Sequence, residues 1–168
     1  VDSLVGSEMC IRDRYNISRE DRVIILMNDV VQYPVIFWGC LKSGVIPVLL
    51  NTLLSNEIIN EIINDSRAKA VFITSKLLDT FNDLLTKNSN IQNIFEIGEN
   101  SNYINFIDEI KKCQIESTID CSKDEVAFWL YSSGSTGQPK GVKHVHGSLQ
   151  NTYDTYGKQV LKLSLIHI

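Results

Sequence analysis

The 168-residue chain has no C-x-x-C pair among its four cysteines, no excess of basic residues, no apolar segment of bilayer length and no internal repeat. Each absence removes a class of function. Without a C-x-x-C pair, Cys10, Cys40, Cys113 and Cys121 read as reduced, structural thiols. His144 and His146 stand two apart on an expected strand, where both could face one way, but no cysteine or carboxylate ligand stands near them to complete a zinc site. Sixteen Lys and Arg against twenty Asp and Glu leave a formal charge of −4, which gives no reason to expect nucleic acid or an acidic membrane surface as partner. Lys111, Lys112 and Lys123 read as solvated surface charges. The segment most like a membrane span, residues 34–50, is interrupted at its middle by Lys42, Ser43 and Gly44. A span needs roughly 20 predominantly apolar residues, so a helix end, a turn and a strand fit better, with Gly44 at the helix C′ position. No secretory signal is visible, and a cytoplasmic location is the expectation.

What is present is ordinary globular usage, 43% hydrophobic and 21% charged. The elements alternate: strand 22–28, helix 30–43, strand 45–50, helix 56–66 and strand 70–74, a pattern that predicts a mainly parallel sheet with flanking helices in the α/β class. Ile58, Ile59, Ile62 and Ile63 form one helical stripe, and Leu77, Leu78, Phe81, Leu84 and Leu85 another. Both are suited to covering a sheet. A strand near 93–97 and a helix near 103–112 follow, then a polar connector over 113–123. Val126, Phe128 and Leu130 alternate with Ala127, Trp129 and Tyr131 in an apolar run that predicts a largely buried strand.

Where that strand stops, residues 131–142 read YSSGSTGQPKGV. Gly134 and Gly137 permit backbone angles closed to other residues, so successive N–H groups can point at one anion. Ser132, Ser133, Ser135 and Thr136 add four hydroxyls, and Lys140 adds a mobile positive charge. The composition is that of a phosphate cradle. It is not the G-x-x-x-x-G-K-[ST] loop: from Gly134, the second glycine's place holds Pro139, and Lys140 is followed by Gly141. Residues 141–146 predict a second strand, with a helix starting near Ser148 as N-cap.

Tyr131 to Val142, extended to His146, resembles the phosphate loop of the adenylate-forming enzymes, the superfamily of acyl- and aryl-CoA synthetases, luciferases and peptide-synthetase adenylation domains. Residues 21–55 resemble that family's early strand, helix, strand segment. Within the superfamily, FWGCLKSGVIPVLLNTLLS, FWLYSSGSTGQPKGVKHVH and the YGK of Tyr156 to Lys158 are most similar to the benzoate-CoA ligase group. The resemblance implies the front part of a large AMP-binding N-terminal domain over residues 15–162. Residues 1–14 and 163–168 resemble translated sequencing-adapter ends and are expected to be a non-native leader and tail.

The chemistry that the resemblance implies is ATP-dependent ligation of a small carboxylic acid, such as benzoate, to coenzyme A through an acyl-adenylate, with release of pyrophosphate and AMP. By family position, Lys140 stabilises the pyrophosphate, and Ser132, Ser133, Gly134, Ser135, Thr136, Gly137, Lys140 and His146 contact the nucleotide, His146 lying near the nucleotide and acyl site. Ser135 or Thr136 approaches Mg²⁺. The family's adenine-binding aromatic motif, metal-binding glutamate, ribose-binding aspartate and C-terminal lysine do not occur in these residues, so the chain alone is not expected to complete the reaction. Two alternatives stay open: an adenylation domain that passes the acyl group to a carrier protein, and a non-catalytic nucleotide-binding remnant.

Overall fold

Four runs rich in Ile, Val, Leu and Phe are apolar at nearly every position, which suits strands covered on both faces rather than one. In the computed structural model, which describes residues 12–98, 102–113, 118–133 and 138–163, these runs lie in one sheet. The strands are β1 (Arg22–Leu26), β2 (Ile46–Leu49), β3 (Ala70–Thr74), β4 (Asn93–Ile97), β5 (Ile104–Asn105), β6 (Val126–Ser133) and β7 (Pro139–Val145). Their order across the sheet is β5-β4-β3-β1-β2-β6-β7. All neighbours are parallel except β6 and β7, which form an antiparallel hairpin.

Alternate residues of the central strands feed two apolar clusters. Val23 and Ile25 of β1, Ala70 and Phe72 of β3, and Phe95 and Ile97 of β4 face one side, where α1 (Gln32–Lys42) brings Ile36 and Cys40 and α4 (Phe106–Lys111) brings Phe106 and Ile110. Ile24, Leu26, Val71, Ile73 and Ile94 face the other, beneath α2 (Asn56–Ser66) and α3 (Ser75–Lys87). The two predicted stripes make that contact: Ile59, Ile62, Ile63, Phe81 and Leu85 are buried there. Ser55 caps α2 by accepting the Ile58 N–H, which satisfies one of the donors a helix start leaves open. Among the described residues no helix is long and apolar enough to cross a membrane.

Gly44 ends α1 as expected. Its φ is +69°, its N–H reaches the Leu41 carbonyl, and the Val45 N–H reaches the Cys40 carbonyl at 2.9 Å. These two bonds make a Schellman turn, and Val45 and Cys40 join the same apolar cluster.

Four expectations are corrected. The helix expected from residue 103 begins at Phe106, because Ile104 pairs with Phe95 as strand and the Asn105 side chain caps the helix by accepting the Asp108 N–H. Ser148 is not an N-cap: α5 (His146–Thr152) starts two residues earlier. There the His146 and Gly147 N–H groups donate to the carbonyls of Glu125 and Lys123, which does the work of a side-chain cap. The helix then continues as a π-helical segment, Tyr153–Val160. Lys112 is not merely solvated; it lies 2.6 Å from the buried Glu109 carboxylate, which Arg14 also meets at 2.5 Å. Finally, β6 is buried only in its first half, since Leu130 is 38% exposed.

Two outcomes follow from these contacts. A Cβ at position 44 would lie 2.1 Å from Ile119 Cδ1 in a backbone region L-residues avoid, so Gly44→Ala should lower the unfolding free energy by about 1–3 kcal/mol, read from the denaturant midpoint. Lys112, then Arg14 and Tyr15, hold the Glu109 carboxyl below the usual carboxylate range, against the opposing effect of burial. A depressed native value stabilises the fold above the unfolded value of about 4.3 and is lost as pH falls through the native one. The stability gap between wild type and Glu109→Gln should therefore be full near pH 6 and close progressively below about pH 4. A gap independent of pH would mean that the carboxylate is not paired.

Candidate functional site

In an open parallel sheet, ligands meet the carboxyl ends of the strands, where loops leave the layer. β6 lies parallel to β2, with Val48 beside Trp129 and Leu49 beside Leu130, so its carboxyl end points to that edge. The hydroxyl- and glycine-rich loop leaves from there. β7 returns antiparallel, pairing Ser133 with Pro139, Ser132 with Lys140, Tyr131 with Gly141 and Leu130 with Val142. Directly opposed residues share a face, so Ser132 and the exposed Lys140 project from the same side of the hairpin where the loop leaves and returns. Gly134, Ser135, Thr136 and Gly137 lie outside the described residues, as does the side chain of Ser133. The two hydroxyls expected to approach Mg²⁺, Ser135 and Thr136, are therefore not placed. Among the described residues no group of three or more His, Cys, Asp or Glu could hold a metal ion.

His146 does not join Ser132 and Lys140. It opens α5 at the far end of β7, and six residues of strand at about 3.3 Å each put it roughly 20 Å from Lys140. A role for His146 beside the nucleotide stays what the resemblance implies. Its N–H donates to the Glu125 carbonyl at 3.0 Å. The Glu125 carboxyl is held low by the Ser122 N–H and by Arg19, with the charge of His146 a lesser contribution. His144 and His146 do not share a strand face, since His146 is helical. His144 instead stacks on Phe128, with ring centres 4.7 Å apart and planes 4° from parallel.

The contacts that fix the corner around the hairpin had almost no signal in the linear pattern. Tyr131, the first residue of the loop motif, donates its hydroxyl to Asp65 Oδ2 of α2 at 2.5 Å. Burial first, and the Asp65 carboxylate second, push the Tyr131 phenol well above its usual range. Gly141 faces that ring: a Cβ there would come within 3.1 Å of Tyr131 Cζ. Trp129 takes cations from two strands, the Lys143 ammonium at 5.1 Å and the Arg22 guanidinium at 5.9 Å from a ring centre. Arg22 also donates to the Ser66 carbonyl at 2.6 Å, where the last carbonyls of α2 carry partial negative charge. One corner thus joins β1, α2 and the hairpin. Only Gly141, a glycine two residues past a proline, could have hinted at a close approach.

A second polar edge lies where the strand order reverses between β1 and β3. Thr74 Oγ1 donates to Asn28 Oδ1 at 2.8 Å, and Ser75 Oγ donates at 2.6 Å to Glu96, whose carboxylate is fully buried. These bonds tie the carboxyl ends of β1, β3 and β4 together.

Comparison with known proteins gives the same frame. The family model described as AMP-binding enzyme matches residues 10–167. The chain is 30% identical over 149 residues to the 4-hydroxybenzoate–CoA/benzoate–CoA ligase of Rhodopseudomonas palustris, covering 88% of this chain and 28% of that protein. It is 31% identical over 154 residues to the benzoate–CoA ligase of Thauera aromatica, covering 90% and 29%. A crystal structure of a benzoate CoA ligase from Burkholderia xenovorans superposes with a TM-score of 0.86 at 26% identity, over 96% of this chain and 32% of that one. The chain therefore spans somewhat under a third of the relatives it matches.

An alkaline titration followed by tyrosinate absorbance checks the Tyr131 contact. Of the six tyrosines, Tyr131 should ionise well above pH 10, and Asp65→Asn should bring it down without normalising it, because burial is the larger cause. A titration curve unchanged by Asp65→Asn would show that the bond is not made.

Proposed function

The chain belongs to the AMP-binding enzyme family, and from that premise we propose that it forms part of an ATP-dependent ligase that joins an aryl carboxylic acid to coenzyme A. The observation that carries the reading is the hairpin: a hydroxyl- and glycine-rich loop at the carboxyl edge of a parallel sheet, with Ser132 and Lys140 paired across its base.

In the first half-reaction a carboxylate oxygen attacks the α-phosphorus of ATP and the bond to the bridging oxygen breaks. The acyl-adenylate forms and pyrophosphate leaves. In the second, the coenzyme A thiolate attacks the acyl carbon and AMP departs as its phosphate anion. Negative charge accumulates on the leaving pyrophosphate, so fixed donors aimed there lower the barrier without reorganising during the step. Lys140 supplies a full charge and Ser132 a hydroxyl donor, with Ser133, Ser135, Thr136 and the backbone at Gly134 and Gly137 completing the cradle in this reading. Ser135 and Thr136 are the hydroxyls assigned to Mg²⁺, which neutralises phosphate charge when bound. An aryl acid, with benzoate and hydroxybenzoates as the first compounds to try, is supported by likeness to ligases named for those acids.

The test is carboxylate-dependent exchange of labelled pyrophosphate into ATP by the full-length protein. Lys140 is exposed, so Lys140→Ala should fold normally while exchange falls about 10²- to 10³-fold, the range for loss of one preorganised donor. Exchange that survives the substitution unchanged overturns the assignment. Formation of acyl-CoA with free coenzyme A then separates this ligase from a domain serving a carrier protein.

A further inference from the structure

The hairpin that carries the phosphate loop joins the sheet on one side, through β6, whose Phe128 also packs edge-on against Phe37 of α1. β6 and β7 pair over seven registered positions, but β6 meets β2 at only two, Val48 with Trp129 and Leu49 with Leu130. β7 has no strand on its outer side among the described residues. A ribbon joined to a sheet on one side has a free outer edge, so its twist depends on contacts from the helix layer as well as on the seam.

Tyr131 lies one residue past that seam and one before Ser132. Its hydroxyl reaches Asp65, 66 residues earlier, on a helix that covers the sheet rather than on a neighbouring strand. The ring lies against β7 at Gly141, where any side chain would press on it. Asp65 stands in the last turn of α2, the end at which a carboxylate is least favoured by the helix dipole. The helix dipole gives no reason for a carboxylate there, whereas the Tyr131 hydroxyl does. Arg22 steadies the same corner by donating to the Ser66 carbonyl and standing over Trp129.

We infer that Tyr131 and Asp65 are positioning residues that fix the direction of the phosphate loop: the β2 seam sets where the hairpin lies, and the Tyr131–Asp65 hydrogen bond sets how it is turned. Neither touches substrate. The pair acts through Ser132 and the loop beyond it, so this inference rests on the reading of that loop as the ATP phosphate site. A loop misdirected by even an ångström loses alignment with the phosphates and not with the carboxylic acid.

The experiment is pyrophosphate exchange by the full-length protein, with Michaelis constants measured separately for ATP and for the carboxylic acid, and melting temperature recorded beside them. Tyr131→Phe and Asp65→Ala should each raise KM for ATP about tenfold while KM for the acid stays within about twofold. The double variant should be no worse than either single one, since both remove the same bond. Asp65→Asn, which keeps an accepting oxygen, should restore the ATP constant. Wild-type protein without carboxylate-dependent exchange overturns the functional reading and this inference with it. Active wild type with an unchanged ATP constant in Tyr131→Phe, or a lowered melting temperature alone, reduces the pair to a stabilising contact and overturns only the inference. Should Tyr131→Phe fail to fold, Asp65→Ala against Asp65→Asn carries the comparison, and equal ATP constants in those two overturn it.

Discussion

Burial of β1 and β3 on both faces is the constraint on which the remaining elements depend. Val23, Ile24, Ile25 and Leu26 are completely shielded, as are Ala70, Val71 and Ile73. Removing each large aliphatic side chain from water is worth about 1.5–3 kcal/mol, which no surface ion pair in the chain approaches. Helices must lie on both sides to supply that shielding, and they can do so only if each strand is followed by a crossover. Parallel strands result, with every carboxyl end along one edge. Of the carboxylates drawn inside, Glu109 meets Arg14 and Lys112, whereas Glu96 accepts the Ser75 hydroxyl on one oxygen and leaves Oε2 buried without a partner.

The hairpin departs from that regularity in a way that suits binding. An antiparallel return needs no crossover helix, so the chain leaves and rejoins the sheet at the same edge. Lys140 is exposed there, open to a ligand that approaches from solvent. Pro139, Lys140 and Lys143 on the outermost strand also discourage pairing with another chain. The outer strand is left without a strand on its far side among the described residues, and the contacts of Tyr131 with Asp65 and of Arg22 with Ser66 and Trp129 hold the corner from the helix side.

Element existence was legible along most of the chain because its causes are local. Buried strands and helical stripes repeat every two or every three to four residues, and the Gly44 turn depends on one residue's freedom to take positive φ. Boundaries failed where distant backbone supplied what a side chain was expected to supply. Ser148 looked like a cap, yet the carbonyls of Lys123 and Glu125 start the helix at His146. Tyr103 looked helical, yet Ile104 is taken up by the edge of β4.

Residues 131–142, by themselves, determined a strand, a returning strand and between them the composition expected of a phosphate cradle, since glycine freedom, hydroxyl density and one lysine are properties of a dozen consecutive residues. Only the tertiary structure decided which of the named residues share an end of the hairpin. Ser132 and Lys140 do, through antiparallel register, while His146 stands a strand's length away. It also decided that Tyr131 meets Asp65. Sixty-six residues separate them, and sheet order, which brings β6 beside β2 and beneath α2, is a global outcome of burying two faces at once that no local pattern records.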